Sequence, residues 1–333
     1  MLKRFSKYVF QSVAGMVGVS VYVLADTFFI SVYAGADGLA VLNLILPVYG
    51  LIYAIGSMIG IGSATRYGIS KAKGERADYY FTQAIAWSVL ISIPFVLFGF
   101  SGAALATAFC PIVTMSVCML HYFGKKCHIG FKWKKMSVRH LISCCQLGVS
   151  AFVGEISSAV IAFVFNMLIL GLAGSVGVAA YGIVANLSIV GMCIFNGLAQ
   201  GAQPLISESF GRGESEHVRK YLRWGMNSTI TIEILMIALI WLFTDPLVAI
   251  FNSGNNAMLL QYAHTGLQMY FLGFLFAGVN ILLVAYFSAT ANARPAIIGS
   301  LMRGAIAIVL CAIVLSRILG MNGVWLSFFA SEL

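Results

Sequence analysis

The sequence predicts an all-α fold: a polytopic transmembrane helix bundle in two lobes related by a parallel internal repeat. Three observations predict it. Hydrophobic residues make up 60% of the 333 and charged residues 9%, which excludes a water-soluble protein with a polar surface. Apolar runs of spanning length, about 20 residues, recur near 8–33, 40–64, 80–99, 103–122, 146–171, 178–203, 225–244, 264–288 and 298–318. Residues 35–75 return at 174–214 with a constant offset of 139, matching Gly35 to Gly174, Gly38 to Gly177, Ala40 to Ala179, Ile55 to Ile194, Gly62 to Gly201, Ser70 to Ser209, Gly74 to Gly213 and Glu75 to Glu214.

The first run is too long for a signal-peptide core and lacks a small-residue cleavage site, so it stays as the first helix. The second carries Gly56-x-x-x-Gly60, and its counterpart at 178–203 carries Gly197-x-x-x-Gly201, a pattern that lets helix backbones approach closely in a bilayer. From Tyr79 to Leu120 no residue is charged, a length sufficient for two spans, with only Phe98-Gly99-Phe100-Ser101-Gly102 to turn between them. A basic segment then leads to 146–171 and 178–203, which repeat the opening pair. Trp224 and Trp241 bracket 225–244 as an interface belt does. After the spans at 264–288 and 298–318, a tenth helix opens at Gly323 and is cut at Leu333. The predicted domains are an amino-terminal lobe of about four helices at 1–124, a basic cytoplasmic linker at 125–140, and a carboxy-terminal lobe at 141–333 with five helices and a truncated sixth. Four spans separate the starts of the two copies, an even number, so both enter the membrane in the same direction. The repeat axis therefore runs along the membrane normal, with a cleft between the lobes.

The net charge of +9 does not indicate nucleic acid, because the basic residues sit on alternate loops. Lys3, Arg4 and Lys7 precede the first span; Arg66, Lys71, Lys73 and Arg76 follow the second; Lys125, Lys126, Lys132, Lys134, Lys135 and Arg139 follow the fourth; Arg212, Arg219, Lys220 and Arg223 follow the sixth; Arg294 follows the eighth. Arg317 is the exception. The bias predicts a multi-pass plasma-membrane protein with a cytoplasmic amino terminus. The seven cysteines lie in spans or on the cytoplasmic side, where thiols stay reduced. Cys127, His128, His140 and Cys144 fit no standard zinc spacing, and no metal or other cofactor is expected.

Intramembrane acids are rare and costly, so each is a functional candidate. Gln11, Gly15, Tyr22 and Asp26 share one face of the first helix at spacings of four, seven and four. Burial disfavours the charged form of a carboxylate, which suits Asp26 to hold and release a proton. On the fifth span Glu155, Ser158, Ala162 and Asn166 share a stripe, and a carboxylate, a hydroxyl and an amide within reach of one another suit a proton, Na⁺ or an organic ammonium. Asn43 and Pro47, with Asn186 in the paired helix, are further cavity-lining candidates, since proline frees a backbone carbonyl one turn back. Glu233 is a third buried acid, without a polar stripe of its own. No H-E-x-x-H, P-loop or nucleophile–base pair is present, so no enzyme is expected, and without a nucleotide site an ion gradient is the energy source.

Ala25-Asp26-Thr27-Phe28-Phe29, Gly35-Ala36-Asp37-Gly38-Leu39-Ala40 and Leu46-Pro47-Val48 resemble the opening of the multidrug and toxic compound extrusion family. The second half agrees: Glu155, Asn166, Ala179-Ala180-Tyr181-Gly182-Ile183, Gly201-Ala202-Gln203-Pro204, Gly211-Arg212-Gly213, Arg303-Gly304 and Gly323-Val324-Trp325-Leu326-Ser327. The resemblance implies two six-helix lobes that export cationic, lipophilic compounds in exchange for H⁺ or Na⁺, with Asp26 and Glu155 at the positions of the family's coupling acids. Some members carry a further acid in the tenth helix; the span from Leu272 to Phe287 has none, which favours H⁺ over Na⁺. Phe100-Ser101-Gly102-Ala103-Ala104-Leu105 joins the third family helix to the sixth, as though two helices were missing. The expected partners are organic cations, H⁺ or Na⁺ and the lipid bilayer, with no obligate protein partner. Two alternatives remain: a transport-dead membrane remnant of such an exporter, and a flippase of lipid-linked saccharides, for which Arg303 and Arg317 are the in-span basic candidates. The topology is tested by cysteine labelling: Asp37→Cys is expected to react only from outside and Lys132→Cys only from the cytoplasm, and reaction of both from one side rejects it.

Overall fold

The computed structural model describes residues 1–75, 77–97, 137–251 and 256–333, and within these the side chains of 22–49 and 92–97 are not described. All regular structure among the described residues is helical, as the composition predicts. The amino-terminal part holds α1 (Leu2–Ala72) and α2 (Asp78–Leu97). Then come α3 (Val138–Gly211), α4 (Ser215–Leu242), α5 (Thr244–Phe251), α6 (Ala257–Phe271), α7 (Phe274–Ala289), α8 (Ala293–Leu301), a π-helical turn (Met302–Ile306), α9 (Ala307–Leu319) and α10 (Met321–Glu332). The turn at 98–102, the span at 103–122 and the linker up to residue 136, with Cys127 and His128, lie outside the described residues.

Two predicted pairs of spans fall inside single helices. α1 holds 8–33 and 40–64; α3 holds 146–171 and 178–203. Extended straight, the 71 residues of α1 reach about 107 Å at 1.5 Å per residue, over three times a ~30 Å hydrocarbon core. Yet both of its ends meet the end of α3. Arg4 binds Glu208 at 2.7 Å, and a Cβ on Gly211 lies 2.6 Å from the carbonyl oxygen of Ile69, so α1 doubles back on itself. α3 does the same at Gly174, where φ is 62° and ψ −157°; an L side chain pays for that backbone, and glycine does not.

The contacts between α1 and α3 obey the repeat. A Cβ on Gly62 collides with the backbone at Cys144 and Gly148, and one on Gly201 meets the Cα of Val9 at 2.6 Å. Adding 139 to 62 and to 9 gives 201 and 148, so each contact is the other with the copies exchanged. Gly68 faces Ser207, its own counterpart, with a Cβ 2.8 Å from the hydroxyl, so these two residues mark the exchange axis. The paired glycine motifs behave unequally. Gly197 and Gly201 both press on α1, at Val13 and Val9, but Gly56 and Gly60 have open space around them. Gly62, outside the first motif, makes that copy's close approach.

The carboxy-terminal part departs from one-helix-per-span in two places. The run at 264–288 is split into α6 and α7, bent by 45°; at the break the Phe328 side chain occupies the space a Cβ on Gly273 needs. The run at 298–318 is interrupted by the π-turn, a feature that often marks functional sites. Around the bend Phe165, Tyr181, Tyr270, Phe271, Phe274, Trp325 and Phe328 form an aromatic core, with Tyr270 stacked on Phe328 at 4.4 Å. Trp224 packs with Tyr221 and Phe5 at 5.8 and 5.9 Å, so it anchors α1 to α4 rather than only marking an interface. The helices Val138–Gly211, Ser215–Leu242 and Ala293–Leu319, and α6 with α7 as one bent span, are long and apolar enough to cross a membrane. Exposed Phe163, Leu242 and Ile318 belong to the surface that meets lipid.

Gly62→Ala is expected to destabilise the purified protein by about 1–3 kcal/mol, the usual effect of overpacking, whereas Gly60→Ala is near neutral. Thermal unfolding of both variants in detergent checks the contrast, and equal midpoints reject the assignment of Gly62 as the close approach.

Candidate functional site

The predicted coupling acid Glu155 lies on the first arm of α3, half-buried. Among the described residues it has no hydrogen-bond or ion-pair partner. Ser158 and Asn166 follow on the same stripe, and both donate into their own helix, Ser158 to the Gly154 carbonyl at 3.0 Å and Asn166 to that of Ala162 at 2.8 Å. Their oxygens remain available as acceptors. Asn166, however, stands eleven residues beyond Glu155, about 16 Å along the axis, so the expectation that carboxylate, hydroxyl and amide share one ion fails on length; Glu155 and Ser158, one turn apart, are close enough. Asn186, on the second arm, is exposed. Gln11 is exposed on α1, and Gly15, next on its stripe, has open space around it. Asp26, Tyr22, Asn43 and Pro47 lie in α1, and their side chains are outside the description.

The two halves close on each other at one end. Gln203 donates to Thr65 at 3.0 Å in a buried bond between α3 and α1, and Glu208 accepts from both Arg4 and Arg212 at 2.7 and 2.6 Å. That end carries Arg4, Arg66 and Arg212, which the charge bias places together. Just inside it is a cavity of about 300 Å³ lined by Ser12, Thr65, Gln200, Gln203, Pro204 and Ser207. Pro204 lacks the N–H that binds the Gln200 carbonyl in a regular helix, so that carbonyl is freed at the cavity wall. Further along, Gly15, Gly18, Gly154, Gly171 and Gly182 meet nothing within 4 Å.

The carboxy-terminal part holds a polar network that sequence reasoning reached only at Arg303 and Glu233. Arg303, on the π-turn, grips Glu332 of α10 with two bonds of 2.7 and 3.0 Å. Asn280 of α7 donates to the carbonyl and carboxylate of Glu332 at 2.7 and 2.9 Å. The side chains of Arg303 and Glu332 are 19% and 3% exposed, so the pair is sealed from solvent. Glu233 on α4 is fully buried and accepts the Val279 N–H at 3.0 Å. Glu332 closes a half-length apolar run and Asn280 sits alone in another, so neither has a stripe to flag it; an acid that can neutralise Arg303 was the available signal.

A helical membrane bundle whose halves exchange under an internal repeat, with acids inside the spans and a polar cavity between the halves, has the architecture of a secondary transporter. The chain belongs to the MatE family, whose model matches residues 12–109 and 150–313. It is 25% identical over 244 residues to the multidrug export protein MepA of Staphylococcus saprophyticus, covering 71% of this chain and 53% of the relative. It is 27% identical over 257 residues to MepA of Staphylococcus aureus strain MSSA476, covering 73% and 54%. The chain thus spans about half the length of the curated relatives it matches. Among solved structures it resembles a MATE protein in complex with MaL6, at TM-score 0.89 and 16% identity over 99% of this chain and 92% of that one. It also resembles the outward-facing form of a multidrug resistance MATE transporter, at TM-score 0.84 and 16% identity over the same shares. At that identity the likeness concerns the fold.

Removing one member of the sealed ion pair leaves a buried charge uncompensated, at about 3–5 kcal/mol. Arg303→Leu and Glu332→Leu are each expected to lower the unfolding midpoint strongly, and the double variant to recover most of the loss. A double variant no better than the singles removes the pair from the account of stability.

Proposed function

We propose that this chain is an ion-coupled antiporter that exports cationic, lipophilic compounds across the plasma membrane by alternating access, with H⁺ favoured over Na⁺. The observation that carries it is Glu155, a carboxylate without a partner among the described residues, on a membrane-spanning helix of a MatE-family fold. An ionised carboxylate without a counter-charge attracts either a coupling ion or a cationic substrate, and competition between the two couples their movements. Asp26 is the second coupling group, on the matching helix of the other half. Gln11, Tyr22, Asn43, Pro47, Ser158, Asn166 and Asn186 are proposed to line the substrate path.

The proposed division is an amino-terminal lobe at 1–124, a cytoplasmic linker at 125–140 and a carboxy-terminal lobe at 141–333. With the amino terminus in the cytoplasm, the closed end carrying Gln203, Thr65 and Glu208 faces the cytoplasm. That is one of the two states alternating access requires. The flippase alternative is weakened by Arg303, whose guanidinium is already taken by Glu332 and so is not free for an anionic headgroup.

The test is efflux of a fluorescent organic cation from cells or vesicles at several external pH values, with and without Na⁺. Asp26→Asn is expected to lower pH-dependent efflux about tenfold or more, the scale of a 1.4 kcal/mol coupling, while insertion stays intact. Glu155→Gln is expected to do the same for substrate-dependent ion release. Efflux in the wild type that needs Na⁺ moves the coupling to Glu155, and no efflux at all in the wild type selects the transport-dead alternative.

A further inference from the structure

Among its described residues the carboxy-terminal part contains two buried carboxylates and, against them, one guanidinium. Arg303 balances Glu332 with two hydrogen bonds, and Asn280 adds a third contact to the same carboxylate. Glu233 has no such balance. It is 0% exposed; Oε1 accepts the Val279 N–H at 3.0 Å, and Oε2, buried, has no partner. One turn earlier on the same face of α4 the Thr229 hydroxyl is also 0% exposed and also without a partner. Two orphaned oxygens on one helical face, four residues apart, are neighbours, and the large majority of buried side-chain polar atoms find a partner.

The surroundings are built to hold the carboxylate there. α7 has glycine at 278, where a Cβ lies 2.7 Å from Glu233 Oε1 and presses on the ring of Phe195; any larger residue pushes the carboxylate off the Val279 N–H. Val279 lies in the second turn of the helix that begins at Phe274, beyond the first turn where helix-end partial charges act, so its N–H supplies a hydrogen bond and no counter-charge. That bond reaches Oε1 alone. Around Glu233, α3 presents Phe195 and α7 the Val279 peptide, and Glu332 of α10, the charged group near enough to act on it, has its charge taken up by Arg303. No cation on the described elements serves Glu233, and an isolated ionised carboxylate is too costly to keep in an apolar interior.

We propose that Glu233 and Thr229 form a binding site for a monovalent cation, a proton or Na⁺, in the carboxy-terminal half and separate from Asp26 and Glu155. The bound cation supplies the missing charge at Oε2, with the Thr229 hydroxyl as its second oxygen. The site stands whether or not the chain transports anything, because its occupancy is read from stability. The experiment is thermal unfolding of the purified full chain in detergent from pH 5.5 to 9, with NaCl replacing choline chloride at constant ionic strength. The wild type is expected to unfold several degrees higher as either cation is raised. A response to pH alone identifies a proton; a response to Na⁺ at fixed high pH that fades as the pH falls identifies Na⁺ competing with a proton. Glu233→Gln, neutral and of the same shape, is expected to lose the response and to unfold near the cation-loaded midpoint. Thr229→Val, which keeps the volume, is expected to need about tenfold more cation for the same shift, the size of one hydrogen bond to a charged group, and it reads the site if Glu233→Gln does not fold. A wild type indifferent to both cations overturns the proposal, as does a Glu233→Gln or Thr229→Val protein that keeps the full wild-type response.

Discussion

The contact on which the rest of the structure depends is backbone against backbone, where Gly62 meets Gly148 and Gly201 meets Val9. In a bilayer, helices gain nothing from hiding apolar side chains from one another, since lipid is equally apolar; they associate through close packing and internal hydrogen bonds. The two glycine approaches bring α1 and α3 near enough for the Gln203–Thr65 bond to form and for Glu208 to reach arginines from both halves. Because the two approaches are exchanged by the repeat, the junction is set by one geometry used twice. Everything on the exchange axis, including the polar cavity, takes its position from it.

The carboxy-terminal part is held differently. Its aromatic core and its sealed Arg303–Glu332 pair tie α10 to the π-turn and, through Asn280, to α7. The break at Gly273 and the π-turn are both interruptions of regular helix, and both deliver a polar contact: the first starts the helix whose Val279 N–H meets Glu233, the second aims Arg303 at Glu332. Irregular backbone at membrane depth is tolerated where protein covers it, and here it sits against α3 and α10. A helix without these interruptions aims the same residues elsewhere.

Much of this was legible in the sequence. Composition and run length give helical spans, the 139-residue offset gives the paired halves, and the charge bias gathers Arg4, Arg66 and Arg212 at one end, where Glu208 in fact bridges two of them. The reversal at Gly174 falls between the two spans that flank it. What stayed hidden depends on three-dimensional partners. Gly60 and Gly62 look alike on paper, and only the neighbouring helix decides which one is pressed. The 264–288 run has no proline to announce its bend, and the ring that presses on Gly273 at the break, Phe328, lies far along the chain. Glu332 and Asn280 carry no periodic signal, and the stripe from Glu155 to Asn166 misled because a shared face says nothing about distance along it.

The cavity near the axis is built from repeat-related positions with unlike chemistry. Gln200 and Gln203 in the second copy correspond to Ile61 and Ala64 in the first, while Ser12 and Thr65 in the first correspond to Ala151 and Pro204 in the second, so each half brings both hydrogen-bonding and apolar groups to the lining, at positions the repeat does not match. A truly twofold pocket accepts a guest in two equivalent poses. Here the pseudo-symmetry is broken in both directions, and the hydrogen-bonding groups form a pattern without a twofold, fixed in the frame of the protein. The two poses that an exact twofold makes equivalent therefore differ in the hydrogen bonds they offer a guest.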